Sequence, residues 1–231
     1  MNNIQQLILP KTIPAGIEAW LVKLDLQLPI EKADFLILSE SERIRAMSFE
    51  THADQVRSVA TRAAVRKLVA NKVAIPPNEL RFANNQYGKP FFQGSADIDF
   101  NVAHTGHYAL IAISTIGQVG VDIEDCNRQL DAFALTEYVF TDLERQLGAL
   151  SPENFFKHWV AKESALKAVG IGISEHLQSI SLLPAANNEM DFRIESDCQE
   201  WQDIRVWLIE VPDLYVAAVA LKATKSLFMV A

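Results

Sequence analysis

Two short stretches hold the residues best suited to chemistry. In Val119-Gly120-Val121-Asp122-Ile123-Glu124, the apolar Val119, Val121 and Ile123 alternate with Gly120, Asp122 and Glu124. This is the period of a strand with one buried face. It sets Asp122 and Glu124 side by side on the other face, roughly 7 Å apart along the strand. Two carboxylates so placed raise each other's pKa unless a cation lies between them. The second stretch, Trp159 to Lys167, reads as a helix. With Trp159 at zero and about 100° per residue, Leu166 falls at about −20°, Phe155 at about −40° and Glu163 at about +40°. Glu163 therefore lies on the inward stripe. A third inward carboxylate, flanked by Lys162 and Lys167, suits a hard, oxygen-ligated cation that holds a phosphate. Each motif alone also fits a plainer reading, a solvated strand end or an (i, i+4) surface pair of Glu163 with Lys167. Together they favour metal binding by Asp122, Glu124 and Glu163.

Other elements must position these groups. Glu18 to Leu28 reads as an early strand. Ser39-Glu40-Ser41-Glu42 is a capping box that opens a short helix through Met47, carrying Arg43 and Arg45. A longer helix, about 53–72, has Val56, Val59, Ala60, Ala63 and Leu68 at helical spacing, with Arg57, Arg62 and Arg66 along it. Ile75-Pro76-Pro77-Asn78 breaks it. Asn84 to Phe91 is a polar hairpin turn, in which Gly88 gives backbone freedom and Pro90 fixes the exit. Asp99 to Gly106 and Tyr108 to Ile113 read as strands. The turn Thr115-Ile116-Gly117-Gln118 is expected to fold the Asp122 strand back as an antiparallel hairpin. An irregular segment with Phe133, Leu135, Tyr138, Val139 and Phe140 follows. Thr141 to Glu144 is a second capping box, for a short helix ending near Gly148. Ser151-Pro152 opens the helix of Glu163, and Gly170 suits its C-terminal cap. Ser179–Leu183, Asp191–Ile194, Ile204–Glu210 and Leu214–Leu221 read as strands. Tyr215 to Ala220 echoes Tyr108 to Ile113, a faint internal repeat.

Gly-Val-Asp-Ile-Glu followed some forty residues later by Trp-x-x-Lys-Glu-x-x-x-Lys resembles the paired signature of the 4′-phosphopantetheinyl transferases. Length and spacing are more similar to the larger, monomeric surfactin-synthetase type than to the short trimeric holo-acyl-carrier-protein synthases. The resemblance covers roughly residues 40 to 185 by motif. It implies an α+β fold of two similar halves packed as a pseudo-dimer, with the active site in the cleft between them. The boundary is drawn between residues 1–116 and 117–231.

By the same resemblance, the chain transfers 4′-phosphopantetheine from coenzyme A to a serine of an apo carrier protein, releasing adenosine 3′,5′-bisphosphate. Magnesium, or manganese, would sit on Asp122, Glu124 and Glu163. Glu163, or a metal-bound water near it, is the candidate general base, and Lys162 and Lys167 would hold phosphate oxygens. Arg45, Arg57 with Ser58, Lys89 of Gly-Lys-Pro and His104 would grip the coenzyme's phosphates and nucleotide. His104 stands in a motif where Ala103 and Thr105 replace the family serines. Carrier docking is expected near Phe133 to Phe140. A metal-dependent phosphohydrolase acting on a nucleotide or coenzyme pyrophosphate is the alternative reading of the same carboxylates.

Composition narrows the classes. A net charge of −8 argues against a general nucleic-acid binder. Cys126 and Cys198 are too few and too far apart for a zinc site or a disulfide framework. The opening residues lack a basic start and long apolar core, and no apolar run reaches about 18 residues, so neither a signal peptide nor a membrane span is expected. A cytoplasmic setting is the expectation, and the resemblance implies a monomer.

Overall fold

The computed structural model describes residues 3–94, 97–128, 132–147, 152–171, 176–185 and 188–223. The first half runs through strands β1 (Asn3–Gln6) and β2 (Ile17–Lys23), then helices α1 (Lys32–Leu36), α2 (Glu40–Met47) and α3 (His52–Val73). The hairpin strands β3 (Phe82–Asn84) and β4 (Pro90–Phe92) follow, then β5 (Asp99–Thr105) and β6 (Tyr108–Ser114). The second half runs through β7 (Gly117–Asp125), helices α4 (Ala132–Val139), α5 (Asp142–Gln146) and α6 (Pro152–Val169). It ends in β8 (Ser181–Ala185), β9 (Asn188–Glu195), β10 (Ile204–Ile209) and β11 (Tyr215–Ala223).

The sheets are ordered β1-β2-β6-β5 and β7-β11-β10-β9-β8, so the run β2-β6-β5 is repeated as β7-β11-β10. Tyr108 and Tyr215 open the equivalent strands β6 and β11, and their rings meet edge-on at 4.9 Å. Side-chain alternation along the strands sorts the core into layers. Val56, Ala60, Val65 and Val69 of α3 pack on Phe100, Ile111 and Ile113 of the first sheet. Val160, Ala165 and Leu166 of α6 pack on Ile204, Val206, Ala218 and Ala220 of the second. Between them the inner faces meet, Ala19, Leu21, Leu110 and Ala112 against Val119, Val121, Ile123, Val219 and Leu221. Each fully buried large aliphatic side chain here is worth about 1.5–3 kcal/mol.

Several expectations are corrected. The turn at 115–118 does not make a hairpin: β6 is already flanked by β2 and β5, so the chain crosses to the other sheet and β7 pairs with β11 instead. The free edge of β7 is served by side chains of β5. Asp99 accepts from the Val119 N–H at 2.7 Å and Asn101 from the Val121 N–H at 3.0 Å. The segment expected to be irregular holds the helix α4. The early strand stops at Lys23, while Leu24 and Leu26 still enter the core. Strand β1 and helix α1 were not expected at all. The capping boxes at Ser39 and Thr141 are both present, Gly170 ends α6 at a φ of 78°, and Ser151 and Gly148 lie outside the described residues. Among the described residues no helix is long and apolar enough to cross a membrane.

Candidate active site

On β7, Val119, Val121 and Ile123 are spent on the core between the sheets, so Gly120, Asp122 and Glu124 face α6. Gly120 is where the helix comes closest. A Cβ there would stand 2.0 Å from the Ser164 carbonyl oxygen and 2.4 Å from the Ala168 nitrogen. Only glycine allows this approach, and it brings the two motifs together. Lys167 donates to Asp122 Oδ1 at 2.5 Å and pairs with Glu163 at 3.2 Å. Glu124 accepts from Thr105 Oγ1 at 3.3 Å and pairs with Arg128 at 3.4 Å.

Burial raises the Asp122 pKa to about 8 against the opposing pull of Lys167, with Glu163 and Glu124 adding to the rise. Burial also raises Glu124, partly countered by Arg128. Burial lowers Lys167, but Asp122 and Glu163 outweigh it and leave the amine above its ordinary value. Asp122 Oδ2 is buried and has no hydrogen-bond partner.

The carboxylates are not drawn into a ready-made cage. Among the described residues no three His, Cys, Asp or Glu side chains stand close enough together to hold an ion, and Lys167 spans Asp122 and Glu163 instead. The donor set still fits a magnesium ion. Its oxygens are hard, one buried oxygen is unpartnered, and magnesium keeps several waters rather than demanding an all-protein shell.

Beside this cluster lies a groove of about 240 Å³ built by the first half. Arg45, Arg57, Ser58 and His104 all line it, so three separate elements bring these expected residues to one place. The alternation of β5 explains the junction. Val102 and His104 face the groove, Ala103 is buried between the sheets, and Thr105 reaches Glu124. Position 103 thus offers the groove no side chain. His104 is held below its usual pKa first by desolvation, although the residue as a whole stays exposed, and then by Arg57 and Lys167.

Two expected lysines are not where a phosphate would meet them. Lys162 is fully buried, paired with Glu144 at 2.8 Å and donating to the Val139 and Leu177 carbonyls. It ties α6 to α5 and α4, and burial, opposed by Glu144, lowers its pKa. Lys89 is turned away from the groove that its neighbours Gly88 and Pro90 line, and its amine is bound at the junction of the halves.

Arg62 was not among the expected site residues. It lines the groove and lies over the Phe82 ring at 5.8 Å. Its Nε pairs with Glu42 at 3.3 Å, while its buried Nη1 has no partner. Its signal was its place four residues after Ser58 on one helix, about 40° around the axis, which puts both on one face. Arg66, by contrast, is consumed by Glu42 and the Pro77 and Leu80 carbonyls.

In the expected docking stretch, Tyr138 is 69% exposed, Val139 and Phe140 are buried, and the Phe133 side chain lies outside the described residues. A larger hollow of about 750 Å³ between α5, β8 and β9 contains none of the expected reactive residues. Much of its lining bonds to itself, as in Ser196 to the Ser179 carbonyl and Thr141 with Ser181.

A family model described as the 4′-phosphopantetheinyl transferase superfamily matches residues 118–220, and one described as 4′-phosphopantetheinyl transferase, N-terminal, matches residues 31–116. A Synechocystis protein with the provisional name 4′-phosphopantetheinyl transferase is 32% identical over 176 residues, 69% of this chain and 72% of its own length. A phosphopantetheinyl transferase of Thraustochytrium is 28% identical over 73% of this chain and 66% of its own. The L-aminoadipate-semialdehyde dehydrogenase-phosphopantetheinyl transferase of Xenopus laevis is 32% identical over 60% of this chain, which spans only 51% of that relative.

Proposed function

The chain belongs to the 4′-phosphopantetheinyl transferase family, and we propose that it moves the 4′-phosphopantetheine arm of coenzyme A onto a serine hydroxyl of an apo carrier protein. The observation that carries this reading is the end of β5. There His104 lines the arginine-bearing groove while its neighbour Thr105 holds Glu124, so the anion-binding wall and the carboxylates are one continuous site.

The groove takes the nucleotide end. Arg45, Arg57, Arg62 and His104 offer donors to phosphate, with Ser58 beside them. Arg57 is braced by Asp54, which keeps its guanidinium in the groove and spends one nitrogen. Asp122, Glu124 and Glu163 would hold magnesium, which neutralises charge building on the pyrophosphate when bound. Lys167 needs only to exchange a carboxylate partner for a phosphate oxygen to grip the transferring group as a point charge. Glu163 keeps 13% of its side chain exposed and can take the proton of an incoming serine. Asp122 is 4% exposed and cannot reach a protein substrate.

The repeat of two similar halves on one chain supports the monomeric surfactin-synthetase type, and exposed Tyr138 supports docking at α4. A cytoplasmic setting is part of the same proposal, supported by two free cysteines. The test is mass spectrometry of a panel of apo carrier proteins incubated with this protein, coenzyme A and magnesium. Addition of the pantetheine arm, lost in Asp122→Ala, is the expected result. Release of the free arm without transfer would mean hydrolysis and refute the reading.

A further inference from the structure

The β3–β4 hairpin belongs to the first half but is bolted to the second. The Lys89 amine lies 2.8 Å from Asp99 Oδ2 on β5, 3.0 Å from the Val119 carbonyl on β7 and 3.3 Å from the Ala168 carbonyl on α6. An ammonium has three protons and no more. All three are taken by protein acceptors, one from the first half and two from the second, and the side chain is 10% exposed. The Ala168 carbonyl is in the last turn of α6, where a cation is favoured by the helix dipole. Asn85, at the other side of the turn, donates from Nδ2 to the Gly170 carbonyl at 2.8 Å. Its Oδ1 meanwhile accepts from the Tyr87 and Lys89 N–H groups at 2.9 Å and so shapes the turn. Gly170 meets this bolt closely, since a Cβ there would lie 2.9 Å from Asn85 Nδ2 and 3.2 Å from Lys89 Cδ.

We infer that Lys89 and Asn85 are positioning residues that set the distance between the nucleotide groove and the Glu163–Lys167 helix, rather than ligands of the coenzyme's phosphates. The hairpin is suited to this because its other face, at Asn84, Gly88 and Pro90, forms a wall of the groove. One rigid turn therefore touches the nucleotide on one side and the end of the catalytic helix on the other. The inference rests on the groove being the nucleotide site.

The experiment titrates adenosine 3′,5′-bisphosphate into wild type, Lys89→Met and Asn85→Ser by calorimetry. It then measures kcat and KM for coenzyme A with a carrier protein that the panel identifies. Serine can still accept the turn's N–H bonds but cannot reach Gly170. The expected result is unchanged bisphosphate affinity and KM in both variants, with kcat lowered by up to about 100-fold for Lys89→Met and less for Asn85→Ser. The double variant should be no worse than Lys89→Met, because both break one bolt. A fall of about 10-fold or more in bisphosphate affinity for Lys89→Met alone would make it a phosphate ligand and overturn the inference. If Lys89→Met does not fold, Asn85→Ser decides: a lowered kcat at unchanged affinity supports the inference, and an unchanged kcat overturns it. Failure of the wild type to bind the bisphosphate would overturn the nucleotide reading of the groove, and the inference with it.

Discussion

Gly120→Ala tests the close approach on which the carboxylate site depends. The added methyl would stand 2.0 Å from the Ser164 carbonyl oxygen and 2.4 Å from the Ala168 nitrogen, both helix backbone, whereas ordinary contact begins near 3.4 Å. No rotamer relieves a clash between a Cβ and backbone, so α6 must retreat from β7 by roughly 1 Å or more. A shift of that size is enough to cost about 100-fold in rate. It would stretch the 2.5 Å Lys167–Asp122 bond and carry Glu163 away from the strand. Overpacking of this kind also costs about 1–3 kcal/mol of stability. The groove proposed for the nucleotide stands on α2, α3, β5 and the β3–β4 turn, so it should be spared. The assay pairs thermal unfolding and transfer rate with calorimetric binding of adenosine 3′,5′-bisphosphate. Lower Tm and a rate down about 100-fold, at nearly unchanged bisphosphate affinity, is the expected pattern. A variant as active and as stable as wild type would refute the argument that glycine is needed for the helix to meet the strand.

Lys162→Met should destabilise by about 3–5 kcal/mol in denaturant unfolding, because it leaves Glu144 buried and unpaired, and Lys162→Met with Glu144→Gln should recover much of the loss. Arg62→Gln should weaken calorimetric binding of adenosine 3′,5′-bisphosphate by about 10-fold, since the unpartnered Nη1 is removed from the groove. Asp122 is raised in the folded protein from 3.8 to about 8, so the stability it lends is fully present below its unfolded value and is lost as pH rises toward about 8. The Tm of metal-free wild type should therefore fall relative to Asp122→Asn between about pH 5 and about pH 8. Magnesium added at about pH 8 should raise the Tm of wild type and not of the variant.

Local pattern determined much of this protein. Alternation along residues 119–124 put Asp122 and Glu124 on one face, and helical phase put Glu163 inward, because both depend only on backbone periods. Capping boxes at Ser39 and Thr141 depend on four consecutive residues and formed as read. On the same wheel Lys162, expected to hold phosphate, falls at about −60°, on the flank away from Glu163. Its buried partner Glu144 lies eighteen positions earlier on another helix, and no local rule links them.

Tertiary structure decided the rest. Whether β7 would fold back on β6 or cross to β11 turned on strand edges already taken by β2 and β5, which no turn signal records. Lys89 was expected to grip phosphate because Gly88-Lys89-Pro90 resembles the family's Gly-Lys-Pro, and its neighbours Gly88 and Pro90 do face the groove. Only the meeting of β5, β7 and α6 supplied three acceptors for its amine. The sequence states which face a side chain takes on its own element. Which partner waits there depends on contacts between residues far apart in the chain, and that is a property of the packed whole.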